Sequence, residues 1–364
     1  MQKEIISNRQ FMALFAVVSF ATTILYVPQV VTSMVDRDGW FLILISGIFG
    51  TINMMLFVIL EKLYPGKNLL QVNRLVLGRF VGGIVNFAFI FYFIDLCTWT
   101  MREFADFFLI TIEPTTPISV YLIVAIVLSA HIVFHGVEVL ARVNEVAFFL
   151  IFFAYLLLCL LLVNQYHLEY LRPVLENGVW KPFTYWEMPT SFFGDAFVVC
   201  MFFNYVRKTK HTPMYVLAGM LLSTILLCTV VFVSIMTLGA KTSSMFTYPT
   251  LTLIRNINIA KLLDRIDIFV VTIWMLGAFI KFSSYFMASV YGLSEVLRIK
   301  KRGWIILPVA LCMLVHAKFK VSSLVQLVNV YNDAPWYFQT FQLYLPSAVL
   351  VVAILVRKLG GKPL

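Results

Sequence analysis

Charge is scarce in this sequence. Only 13% of its 364 residues are charged while 61% are apolar, and the mean hydropathy is +0.91. A soluble chain of this length would need polar surface for two or three domains, and these residues cannot supply it. Cysteine is sparse too: Cys97, Cys159, Cys200, Cys228 and Cys312 all fall in apolar stretches with no C-x-x-C spacing. Free, inert thiols follow, with neither a disulfide framework nor a thiolate metal site. Of five histidines, His131 and His135 stand at i and i+4, but no third ligand or H-E-x-x-H carboxylate accompanies them. No phosphate loop and no nucleophile motif occurs, so neither an enzyme nor a cofactor is expected.

What is present is repeated apolar length. Stretches of about 20 apolar residues are the signature of membrane helices, and they recur along the whole chain. The reading is an all-α polytopic membrane protein, one integral membrane domain over 1–364. Ten spans are predicted at 11–33, 40–60, 81–108, 117–134, 142–164, 187–206, 212–239, 267–296, 303–317 and 335–356. The first follows a polar start and is too long for a signal-peptide core.

Arg102 and Lys281 fall inside spans; of the other 26 Lys and Arg, seventeen lie on the side holding both termini and nine on the other. Positive charge stays in cytoplasmic loops, so both termini are expected inside. The formal charge of +10 then reflects topology and contact with anionic membrane lipid, not nucleic acid. The basic run "RIKKRGW" (298–304) reads as a short cytoplasmic loop. Between spans 7 and 8, residues 240–266 place Leu251, Ile254, Ile257, Leu262 and Ile266 at nearly helical spacing, as in a short amphipathic helix on the outer interface.

Two spans are interrupted. Span 1 carries "SFATTILYVPQVV", where Pro28 cannot continue the hydrogen-bond ladder. Span 6 carries "MPTSFFGDAF", with Pro189, Gly194 and Asp195 in a short hydrophobic stretch. In a ten-span chain each opens a five-span half, 1–164 or 165–364. Paired interruptions of this kind mark a midplane ligand site. The candidate contacts are Thr22, Thr23, Ile24 and Leu25 through their backbone, with Phe193, Gly194 and Asp195.

Three charges sit near mid-span: Asp95 in span 3, Asp195 in span 6 and Lys281 in span 8. No other charged residue occurs between Asp267 and Glu295. A charge at that depth costs at least about 2.5 kcal/mol, so each must face the bundle interior and find a partner. Asp95 and Lys281 are assigned to a charge network lining a central cavity. A direct ligand contact and a structural ion pair both remain open for Lys281. Arg102 and Asp106, at i and i+4, are expected to pair with each other. Trp40, Trp180, Trp186, Trp304 and Trp336 lie near span ends, as interfacial belts require, while Trp99 and Trp274 lie deeper.

The run "YPTLTLIRNINIAKLLDRIDIFVVTIWMLGAFIKFSSYF" resembles the spore germination permease family, the B subunits of nutrient germinant receptors. The likeness rests on Tyr248, Pro249, Thr250, Arg255, Ile257, Leu263, Arg265, Asp267, Trp274, Lys281 and Ser283. "YPGKNLLQ", "MREFADFF", "TPISV", "HGVEVLARVNE" and "YLRPVLENG" extend it over nearly the whole chain. Members often carry glycine where span 1 breaks; here Ala21, Thr22 and Thr23 stand instead.

The resemblance implies a fold similar to the amino acid–polyamine–organocation transporters: inverted five-span repeats with broken spans 1 and 6, and a site ringed by spans 1, 3, 6 and 8. It implies a germinant-sensing subunit of the spore inner membrane that binds a small nutrient, an amino acid. Its partners would be a receptor A subunit and a C-subunit lipoprotein. The same pocket also suits an amino-acid or amine transporter, proton-coupled through Asp95 or Asp195.

Overall fold

The structure, a computed structural model, describes residues 5–176, 178–207, 209–256, 266–320 and 333–359. Among these residues the chain is helical, with no strand beyond a single bridge between Ile6 and Val206. Of the residues that carry the family resemblance, Ile257, Leu263 and Arg265 lie outside the described residues, as does Leu262 of the expected interfacial helix.

Helix α1 (Asn8–Phe20) opens on a capping box. The Ser7 hydroxyl accepts from the Gln10 N–H at 3.2 Å, and the Gln10 side chain accepts from the Ser7 N–H at 3.0 Å. Two of the N–H groups that a helix start leaves unpaired are thereby satisfied. After Phe20 the chain leaves the helix, makes a 3₁₀ turn over Thr23–Leu25, and resumes as α2 (Val27–Val35) with Pro28 in its first turn. Proline is tolerated there because the first-turn N–H has no partner in any case. A turn at Asp36, whose φ is +54°, leads into α3 (Gly39–Leu63).

A second capping box, Asn68 with Gln71, starts the short α4 (Leu69–Val76), which the hydropathy pattern did not announce. Then come α5 (Gly78–Thr111), α6 (Ile118–His135) and α7 (Val137–Leu161). The following loop holds α8 (Trp180–Thr184). Helix α9 (Glu187–Gly194) gives way at Asp195 to a 3₁₀ segment that runs to Tyr205. Runs of 3₁₀ beyond three or four residues are uncommon, and inside a helix they mark a hinge or strain.

The chain continues through α10 (Thr212–Leu238), α11 (Ala240–Met245), α12 (Pro249–Arg255), α13 (Ile266–Val296) and α14 (Gly303–Phe319). It ends in α15 (Pro335–Gln339), a π-helical turn over Thr340–Tyr344, and α16 (Leu345–Leu359).

Among the described residues seven segments are long and apolar enough to cross a membrane, by length and composition, and α14 is a shorter apolar helix. The predicted spans 11–33 and 187–206 do not stand among the seven as single spans. The first is divided between α1 and α2, and α2 joins α3 in the one segment Val27–Leu63, while the second is divided between α9 and the 3₁₀ segment. Helices α5 and α13 pack along each other at the centre, α1 lies against α7 and α10, and α14 packs on α5 and α6.

The expected interfacial helix is corrected by burial. Leu251, Leu253 and Ile254 of α12 are buried against α10, α13 and the turn after α1, not laid on a surface. Of the five tryptophans expected near span ends, Trp180, Trp304 and Trp336 are exposed while Trp40 and Trp186 are half-buried; Trp99 and Trp274 are buried.

Candidate functional site

The site begins with Pro28. A proline ring leaves no room for the carbonyl four residues earlier to bond normally, and that carbonyl belongs to Ile24. Its oxygen accepts the Thr250 hydroxyl of α12 at 2.7 Å. The Ile24 carbonyl, in the 3₁₀ turn between α1 and α2, is therefore held by a side chain from outside the span, and the threonine is the one in the Tyr-Pro-Thr run. Just before it, Thr22 and Thr23 are fully buried. The Thr22 hydroxyl accepts from Lys281 Nζ at 3.0 Å.

Lys281 lies midway along α13 and also reaches Asp195, with 2.6 Å between Nζ and Oδ2. Asp195 stands where α9 turns into the 3₁₀ segment. Both side chains are 2% exposed. One lysine thus ties the 3₁₀ turn after α1, the helix change at Asp195 and the centre of α13. An ion pair this deep persists only with good geometry and further hydrogen bonds. The Asp195 backbone carbonyl accepts the Tyr285 hydroxyl at 3.3 Å, while Asp195 Oδ1 and the Thr23 hydroxyl are buried without partners among the described residues.

Glu103 of α5 completes the cluster. It is 5% exposed, and its carboxyl faces the hydroxyls of Thr22 and Tyr26 and the charges of Lys281 and Asp195. The neighbouring Arg102 and Asp106 do pair as expected, with the guanidinium Nε 3.0 Å from both carboxylate oxygens. With those two engaged, Glu103 was the charge left over, which is the signal that could have found it. Two carboxyl groups and one ammonium share this buried space.

The other predicted contacts separate. Ile24 and Leu25 line a cavity of about 40 Å³ together with Phe20, Tyr155, Ile254 and Trp274. That is ample for an ordered water. The Tyr155 hydroxyl and the Trp274 ring N–H on its wall are buried without partners among the described residues. Phe193 points the other way, so close to α3 that a Cβ added to Gly50 would come within 2.3 Å of the Phe193 Cβ. A Cβ on Gly194 would lie 1.8 Å from Gln342 Oε1. Gln342 sits in the π-helical turn of the last span and donates to Tyr92 Oη at 2.9 Å and to the Ser191 carbonyl at 3.2 Å. Such turns leave the regular backbone ladder and are frequent at functional sites.

Asp95 does not share a network with Lys281. Its carboxylate is ion-paired with Lys320 at the end of α14, accepts the Tyr337 hydroxyl at 2.8 Å and lies 3.6 Å from His316 Nε2. The other ring nitrogen of His316 is 3.0 Å from the Thr98 hydroxyl. The reason is helix length. Asp95 is seventeen residues beyond Gly78 (95 − 78) and Lys320 seventeen beyond Gly303 (320 − 303). At about 1.5 Å per residue both stand roughly 25 Å along two helices that pack together. Lys320, read from sequence as a loop residue, is 38% exposed and pairs with the buried Asp95 instead.

Comparison with known proteins gives the family and the fold. Spore germination protein KB of Bacillus subtilis (strain 168) is 26% identical over 364 residues, covering 98% of this chain and 97% of that protein. Among solved structures, Mhp1, a nucleobase-cation-symport-1 family transporter in a closed conformation with bromovinylhydantoin bound, superposes with a TM-score of 0.70 at 13% identity. The match covers 98% of this chain and 79% of Mhp1. MhsT, solved in complex with L-phenylalanine, gives 0.55 at 14% identity over 96% of this chain and 89% of its own. At these identities the likeness shows a shared transporter fold. The family model described as Spore germination protein matches residues 5–323, and the chain belongs to that family.

Proposed function

We propose that this chain is the integral membrane subunit of a spore nutrient germinant receptor, and that it binds a small nutrient, an amino acid, at the level of Lys281. The observation that carries this reading is the single lysine bridging Asp195 and Thr22, because it places a charged, half-satisfied cluster where two spans open their backbones. A ligand ammonium at Asp195 Oδ1 and Glu103 would supply the positive charge the two carboxyl groups lack. A ligand carboxylate would meet Lys281 and the opened backbone of span 1. Binding would act by its differential affinity for two arrangements of spans 1 and 6.

The same reading takes the chain as a single ten-span domain, with repeats 1–164 and 165–364 inverted relative to each other and spans 1 and 6 broken. It is supported by the interruptions at Ala21–Tyr26 and at Asp195. The pairing of Ile6 with Tyr205 and Arg207, which sets the start of span 1 beside the end of span 6, supports it too. Both termini would be cytoplasmic and the membrane the spore inner membrane. An A subunit and a C-subunit lipoprotein would be the partners, and the role is signalling, not enzymic.

The test is germination of spores lacking their other receptors and complemented with this gene and its partners, across single nutrients. A response to one amino acid whose half-maximal concentration Glu103→Gln raises supports the reading. No response, together with saturable uptake of an amino acid or amine by vesicles holding this chain alone, would assign it to transport.

A further inference from the structure

Two sequence features take no part in the Lys281 cluster: the basic run at 298–304 and the His131–His135 pair. The structure brings them to the same place. Helices α6 and α14 run side by side at the edge of the molecule, and between them lies a groove of about 490 Å³. Its walls are Ile126, Ala130, Phe134, Leu307, Leu311 and Leu314, and among the described residues His131 is its one polar side chain. Leu307 and Leu311 are 66% and 53% exposed, so the groove opens outward to the lipid.

One end of the groove is at Gly303, where the basic run enters α14. Arg298, Lys300, Lys301 and Arg302 are all exposed there. Arg302 turns back to the protein, donating to the Tyr205 hydroxyl and stacking over Tyr291 with 3.9 Å to the ring centroid. The nearby carboxylates are occupied: Glu295 accepts from Asn68 and Glu138 pairs with Arg142. Within α6, His135 Nδ1 bonds the His131 carbonyl one turn earlier. Next to Gly303, Trp304 is 77% exposed, the placement of an indole at headgroup depth.

We propose that this groove is a binding site for an anionic phospholipid, with an acyl chain between α6 and α14 and the phosphate held by Lys300 and Lys301. The lining decides against water, which needs polar partners. Size decides against a partner helix. A ten-residue helix about 10 Å across occupies on the order of 1,200 Å³, more than twice the groove. Charge decides the headgroup, since a basic cluster beside a gap between membrane helices selects anionic lipid. Each lysine near an anionic headgroup is worth about fivefold in affinity.

The experiment is native mass spectrometry of the purified full chain titrated with phosphatidylglycerol or with phosphatidylcholine. Phosphatidylglycerol should bind more tightly, and Lys300→Gln with Lys301→Gln should lower its affinity by roughly 25-fold (5 × 5) while leaving phosphatidylcholine unchanged. Leu311→Trp, at an exposed position on the groove wall, should weaken both lipids. A photoreactive group at residue 311 in membranes should carry a phospholipid mass. Equal affinity for the two lipids, an unaltered phosphatidylglycerol affinity in the double variant, or a cross-link to a polypeptide would each overturn the proposal.

Discussion

Lys281 Nζ stands 2.6 Å from Asp195 Oδ2, and both side chains are 2% exposed. A pair that deep is weak evidence for stability in itself, yet removing one partner leaves an uncompensated buried charge and costs about 3–5 kcal/mol. Lys281→Ala should therefore lower the amount of folded protein in the membrane. Lys281→Met combined with Asp195→Asn should restore that amount without restoring the nutrient response. Immunoblots of membrane fractions and germination curves check the two halves. An abundant, responsive Lys281→Ala protein would contradict this.

Thr250 and Ile24 give a second test. Thr250→Val keeps the shape but removes the hydroxyl that satisfies the Ile24 carbonyl. An unsatisfied buried acceptor costs about 1–3 kcal/mol. Thermal unfolding should fall by that order, and Thr250→Ser should recover most of it. A valine variant as stable as the parent would mean that water or another donor reaches Ile24.

Gly194 and Gln342 are coupled by space. Even alanine at 194 would place its Cβ 1.8 Å from Gln342 Oε1. Gly194→Ala should impair folding and response, and Gln342→Ala should relieve much of the defect in the double variant. Contacting residues commonly show interaction energies of about 0.5–3 kcal/mol in such cycles. Additive effects would show that the side chains move apart freely.

Asp95 and Glu103 share a helix but not a network. Asp95→Asn should reduce stability through Lys320 and Tyr337 while leaving the half-maximal nutrient concentration unchanged. Glu103→Gln should shift that concentration by about tenfold or more, as the loss of a charge-assisted hydrogen bond of roughly 1.5–3 kcal/mol would. Dose–response curves for germination separate the two. A large shift for Asp95→Asn with none for Glu103→Gln would exchange the roles of the clusters.

What the sequence made legible follows from cost. A lone lysine in an apolar run demands a partner, so Lys281 and Asp195 could be named from depth alone. Pro28 forbids a continuous ladder, so the change of helix between α1 and α2 could be named from a single residue. Other features depend on which helix stops where. Lys320 looked like a loop residue because the level at which α14 ends is set by packing on α5, not by hydropathy. Gln342 looked like an ordinary polar residue because its π-helical turn leaves no compositional mark. Residues 251–254 show an amphipathic spacing, and spacing gives the apolar face without saying whether lipid or protein covers it. The separation of Ile24 and Leu25 from Thr22 has the same origin: a short 3₁₀ turn sends neighbouring side chains to opposite sides of the backbone.

The most direct measurement is binding of single radiolabelled amino acids to the purified chain by equilibrium dialysis, alongside the Lys281→Met, Asp195→Asn double variant. The account predicts saturable binding of one amino acid, weakened about tenfold or more in a double variant that folds like the parent. The same dissociation constant in both proteins would place the ligand elsewhere and leave the lysine a purely structural tie.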